Sequence, residues 1–88
     1  MADYLASGLG LVAAALTSLS YIPQLKKAWP RGATRDISAG TFTALGFGLA
    51  MWILYGLLRS DWVIVLANAV GLSLVILIAG CKIRDLYS

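Results

Sequence analysis

Tyr21-Ile22-Pro23-Gln24-Leu25-Lys26-Lys27-Ala28-Trp29-Pro30 closes an apolar run long enough to cross a bilayer and opens a basic loop. Proline has no N–H to donate, and its ring clashes with the carbonyl four residues back. A helix carried through Pro23 therefore kinks and leaves the Leu19 carbonyl short of its usual partner. Ser18, Ser20 and Gln24 lie within a turn of it and are the side chains able to satisfy loosened backbone where water is scarce. Two readings of Pro23 stand: a hinge inside a membrane-spanning helix, or a helix end near the headgroups, where proline is harmless.

Outward from this stretch, the composition decides the class. The chain has 88 residues, 60% of them apolar and 12% charged. The surface of a soluble fold this small needs far more charge, so a membrane protein is expected. Charges fall in four places: Asp3, the block from Lys26 to Asp36, the pair Arg59 and Asp61, and the tail from Lys82 to Asp85. Between them lie three apolar runs, 4–25, 39–58 and 62–81, each close to the roughly 20 residues that cross a bilayer. The whole chain reads as one domain of three spans. The first run is longer than the apolar part of a signal peptide and has no basic segment before it, so it is expected to be retained.

With no histidine and one cysteine, neither a metal cluster nor a nucleophile–base pair nor a disulfide framework can be assembled, and no cofactor is expected. The net charge of +3 sits beside the spans with no aromatic residues interleaved, which argues for membrane topology and against nucleic acid. Lys26, Lys27, Arg31 and Arg35 face one acid in the first loop, while Arg59 and Asp61 cancel in the second. The positive-inside rule then puts the first loop and the C-terminus in the cytoplasm and the N-terminus outside. Trp29, Pro30 and Gly32 read as an anchor and a turn, and Asp36 and Ser38 as candidates to cap the second span.

Each span carries one informative pattern. In the first, Ala6, Gly10, Ala14, Thr17 and Ser18 form a small-residue face suited to close helix packing. In the second, Gly40, Ala44, Gly48, Trp52 and Gly56 recur every four residues, with Tyr55 and Arg59 continuing the face. Trp52 lies about 9 Å inside the end of its span, deeper than a belt tryptophan, and serves either packing or a ligand. In the third, Asn68 is a carboxamide in an apolar helix, either glue between helices or a ligand group. Trp52 and Asn68 are equally far from the turn at Ser60, which puts them at similar depth.

An indole face beside a carboxamide suits a neutral polyhydroxylated ligand: C–H groups lie on the ring and hydroxyls pair with the amide. A charged ligand or a coupled proton would want a titratable group near the midplane, whereas Asp36 and Asp61 stand at the edges. Three helices enclose too little space for a polar route. A two-fold axis along the membrane normal would bring two copies of Trp52 and Asn68 round one cavity. Pro23 would then be the hinge on the cytoplasmic side, with Tyr55, Arg59 and Asp61 closing the outer side.

The chain resembles the SemiSWEETs, bacterial half-size members of the SWEET and PQ-loop transporter family. The resemblance lies in its length and three-span layout, in Pro23-Gln24, Asp36-Ile37-Ser38, Trp52-Ile-Leu-Tyr-Gly56, Leu58-Arg-Ser-Asp61 and Ala67-Asn68. It implies an all-α bundle with the third helix between the first and second, paired as a parallel homodimer of six helices in a bacterial inner membrane. It also implies facilitated, uncoupled movement of a mono- or disaccharide such as glucose or sucrose by alternating access. Trp52 and Asn68 would line the substrate site, with Tyr55, Arg59 and Asp61 forming the outer gate. Pro23 and Gln24 would form the PQ motif, and Thr41 and Leu45 would stand near the inner gate, where relatives often carry bulkier residues. The competing functions are a membrane assembly protein that moves nothing and a proton-coupled PQ-loop carrier.

Overall fold

The structure, a computed structural model, describes residues 2–87, with side chains from Tyr4 to Tyr87. It comprises α1 (Ala2–Ala28), α2 (Ala39–Leu58) and α3 (Trp62–Leu86), all three long and apolar enough to cross a membrane. The protein is thus an all-helical membrane protein. α1 stays helical through Pro23 to Ala28, so the proline lies inside the helix and not at its end. Near it, the Ser20 hydroxyl donates to the Thr17 carbonyl. That bond serves the turn before the proline and not the Leu19 carbonyl that the ring displaces.

The helix starts are set by side chains. Ser38 caps α2, its Oγ accepting from the Thr41 N–H at 3.1 Å, and Asp61 caps α3, its Oδ1 accepting from the Ile64 N–H at 3.2 Å. Each satisfies one of the donors that a helix leaves unpaired at its first turn. Between them α2 ends in a Schellman turn. The Asp61 N–H donates to the Gly56 carbonyl at 2.8 Å and the Ser60 N–H to the Leu57 carbonyl at 3.2 Å. Ser60 adopts the left-handed conformation, φ 53°, that this turn demands. The tight reversal brings α2 and α3 together at once. A methyl on Gly56 would sit 3.0 Å from both Ile64 Cγ2 and Val65 Cγ2, so glycine is what lets the two backbones close.

α3 packs against both α1 and α2, in a molecule 52 × 23 × 14 Å along its principal axes. Burial is concentrated towards the end that carries the α1–α2 loop. Ala28, Ile78 and Cys81 form a buried cluster, flanked by Tyr21, Leu25, Ile37 and Phe42. α3 continues past Cys81 to Leu86, and its last turns hold the loop through Lys82, Arg84 and Asp85. Gly32, at φ 84°, supplies the left-handed residue of that loop.

Candidate functional site

Trp52 and Tyr55 stand one turn apart on α2, and their rings meet edge to face with centroids 5.4 Å apart. That offset geometry places a positive ring edge on a negative ring face, the favoured arrangement for two aromatics. Together with Gly48 and Met51 they line an open groove of about 540 Å³. Gly48 gives the groove its depth, since a methyl there would meet nothing within 4 Å. The four-residue repeat of α2 is accordingly split between two jobs. Gly56 packs on α3, whereas Gly48 opens the wall beside Trp52, because the stripe drifts round the helix as it climbs.

Asn68 lies on α3, half-buried, with Nδ2 donating to the Ile64 carbonyl at 2.8 Å. This bond to its own helix holds the carboxamide in one orientation. The side chain lines a second groove, of about 230 Å³, walled by Thr17, Ser18 and Tyr21 of α1, Leu49 of α2 and Gly71 of α3. Of the small-residue face expected on α1, Gly10, Ala14, Thr17 and Ser18 line this groove, while Ala6 lies outside it and is exposed. Gly10 approaches Val63 so closely that a methyl would lie 2.9 Å from Cγ1, while the hydroxyl-bearing residues face the groove. Gly71 leaves room between Leu49 and Tyr21.

Within one chain, then, Trp52 and Asn68 line different grooves. Equal distance from the turn speaks to depth along a helix pair and says nothing of the direction each side chain takes about its own axis. At the turn itself, Asp61 is engaged as the cap of α3 and Arg59 closes the end of α2. Among the described residues these two form no ion pair with each other. At the other end, Gln24 lines a polar hollow with Lys27 and Asp36. Thr41 is exposed and gives its N–H to Ser38, and Leu45 is half-buried on α2.

Tyr21, Thr17 and Ser18 were not singled out as groove residues from the sequence. Their spacing, i, i+1 and i+4, does put three hydroxyls on one helical face. Only the presence of Asn68 opposite turns that face into a polar lining in an otherwise apolar bundle. Each groove has its own chemistry: the aromatic wall offers ring stacking, and the amide-and-hydroxyl groove offers hydrogen bonding.

Comparison with known proteins places these features in a lineage. Residues 5–65 match the PQ loop repeat family. The chain is 40% identical over 77 residues to the sugar transporter SemiSWEET of Leptospira biflexa, a match covering 88% of this chain and 91% of that protein. It is 39% identical over 74 residues to the sugar transporter SemiSWEET of Bradyrhizobium diazoefficiens, covering 84% and 86% respectively. Its fold is similar to the crystal structure of a bacterial homologue of SWEET transporters, with a TM-score of 0.86, 34% identity, and coverage of 92% of this chain and 98% of that one.

Proposed function

The chain belongs to the PQ-loop family, in its SemiSWEET branch, and from that premise we propose that it is a facilitative sugar transporter of a bacterial inner membrane. The observation that carries the reading is the extent of the likeness. Identity near 40% runs through nearly the full length of two relatives that are named sugar transporters. The proposed unit is a parallel homodimer. A single chain leaves the Trp52 groove open along one side and sets Asn68 in another. A second copy related by an axis along the membrane normal would cover the open side and give one cavity bounded by both kinds of wall. The helix order, with α3 in the middle, is supported by its packing on both α1 and α2.

In this reading Trp52 offers its ring face to the C–H side of a sugar ring, and Asn68 offers hydrogen bonds to hydroxyls. Alternating access closes one end at a time. Tyr55, Arg59 and Asp61 meet their counterparts at the outer end, while Thr41 and Leu45 lie at the inner end and α1 bends at Pro23-Gln24. Uncoupled transport is supported by the absence of a carboxylate or histidine from the middle of the three apolar runs. The basic residues of the α1–α2 loop support a cytoplasmic C-terminus and an N-terminus outside, by the positive-inside rule.

The test is counterflow of labelled mono- and disaccharides into liposomes holding the purified protein, with and without an imposed pH gradient. Saturable exchange that ignores the gradient is expected. Flux that follows the gradient would point to proton coupling. No flux of any sugar at verified reconstitution would leave an assembly protein.

A further inference from the structure

Away from both grooves, the end of α3 grips the end of α1 and the loop that follows. The Arg84 guanidinium reaches three successive carbonyls: Nη1 donates to Trp29 at 2.7 Å, and Nη2 donates to Ala28 at 3.2 Å and to Pro30 at 3.0 Å. The last carbonyls of a helix have no partner within it, so α3 caps α1 from outside, with charge-assisted bonds. Asp85 holds the donors of the same loop. Its Oδ1 accepts from the Gly32 N–H at 3.0 Å, and its Oδ2 accepts from the Thr34 N–H at 3.2 Å and hydroxyl at 2.6 Å. Lys82 donates to the Thr34 carbonyl at 2.9 Å, and Arg84 Nε pairs with Asp85 Oδ1 at 2.9 Å. Thr34 is 1% exposed, and Ala28 and Cys81 are buried in the cluster with Ile78.

Before Pro23 the contact between α1 and α3 has a different character. There the described residues of α1 make no hydrogen bond to α3: Gly10 packs on Val63, and Thr17, Ser18 and Tyr21 face Asn68 and Gly71 across a groove of about 230 Å³. Pro23 therefore lies between a part of the chain that hydrogen bonds fasten to α3 and a part of α1 that meets α3 by side-chain packing without such bonds.

We propose that Lys82, Arg84 and Asp85 are positioning residues of the transport cycle: they hold residues 28–34 on α3 as one body. Bending then falls at Pro23, and the part of α1 before it is what moves against α3. This rests on the carrier reading above. With the loop unfastened, the whole of α1 could swing about residues 29–38 without bending, and the motion would no longer be delivered to the Asn68 groove. These three residues touch no sugar; they act by deciding where α1 flexes.

Cys81 is the single cysteine of the chain and lies in the buried cluster with Ala28, so its reactivity reports whether the clamp is shut. The experiment measures maleimide labelling of Cys81 in the reconstituted protein without sugar, for wild type, Asp85→Asn and Arg84→Gln. Beside it runs sugar counterflow in both the wild-type and Pro23→Ala backgrounds. Labelling is expected to rise about tenfold in both variants as the clamp opens locally. Turnover is expected to fall about threefold with the half-saturating sugar concentration unchanged, because the grooves are left intact. Asp85→Asn should add no further loss of turnover to Pro23→Ala, since both act on one bend.

Unchanged Cys81 labelling in both variants, or turnover losses that multiply in the double variant, would overturn the proposal. Should Asp85→Asn fail to insert, Thr34→Val decides: it removes one hydroxyl and keeps the backbone donors, and its labelling should rise in the same direction. Unchanged labelling there overturns the proposal equally. A wild type that moves no sugar would sink the carrier reading, while the labelling arm, which uses no sugar, still judges the clamp.

Discussion

Trp52 and Tyr55 lie with their ring planes at 87° and their centroids 5.4 Å apart, so the tyrosine braces the indole that walls the open groove. An aromatic pair of this kind contributes about 0.5–1.5 kcal/mol beyond its buried area. Tyr55→Ala should raise the half-saturating sugar concentration about two- to tenfold, and Tyr55→Phe should leave it near wild type. Counterflow titration reads both. An unchanged value in Tyr55→Ala would remove the brace from the function.

Asn68→Ala and Trp52→Ala should each abolish or strongly weaken transport while the protein still inserts and dimerises. The Asn68 amide bonds to the Ile64 carbonyl of its own helix, so its removal costs the bundle little. Losing a ligand hydrogen bond costs on the order of 1–3 kcal/mol. Flux is measured beside dimer content by cross-linking. If dimer content collapses in either variant, that residue serves packing and not the substrate.

Gly48 and Gly56 should respond oppositely to the same change. Gly56→Ala drives a methyl to 3.0 Å from two side chains of α3 and 3.2 Å from the Asp61 carbonyl, and should destabilise by about 1–3 kcal/mol. Gly48→Ala meets nothing in its own chain. It should keep or raise the melting temperature while slowing transport, since its methyl enters the groove beside Trp52. A detergent melt beside counterflow separates the two, and a Gly48→Ala protein with wild-type flux would take that groove out of the sugar path.

At the α2–α3 turn Asp61 caps α3, and the gate role proposed for it is separable from that cap. Asp61→Ala removes the cap of α3 and should cost about 0.5–2 kcal/mol, whereas Asp61→Asn keeps a capping oxygen and loses only the charge. If Asp61 also closes the outer gate, both variants should favour the outward-open dimer, yet only Asp61→Ala should melt earlier. The gate is read by thiol labelling of Tyr55→Cys in a Cys81→Ala background. Labelling in Asp61→Asn equal to that of its parent would leave Asp61 a cap alone.

Because α1 is helical on both sides of Pro23, Pro23→Ala restores the bond to the Leu19 carbonyl. The protein should become more stable and slower together. A bias of about 2 kcal/mol between end states slows exchange more than tenfold when it falls on the limiting conversion. Counterflow and a thermal melt in the same detergent measure the pair of effects. Wild-type flux in Pro23→Ala would dispose of the hinge.

What the sequence determined by itself is what depends on neighbours along the chain. Hydropathy runs of bilayer length set three helices, Ser38 stood ready to cap α2, and the positions of Pro23-Gln24, Trp52 and Asn68 carried the family resemblance. These are legible because capping and span length involve residues within a turn or two of each other. The tertiary structure alone decided which faces meet. It put Trp52 and Asn68 on separate grooves of one chain, and it gave Gly48 to an opening and Gly56 to a close contact. It also joined Arg84 to the carbonyls of Ala28, Trp29 and Pro30 across more than fifty residues of sequence. The physical reason is rotational. An all-apolar helix buries almost any side equally well, so its own pattern barely constrains its rotation about its axis. That angle is set when Gly10 meets Val63, Gly56 meets Ile64, and the loop closes on the last turn of α3.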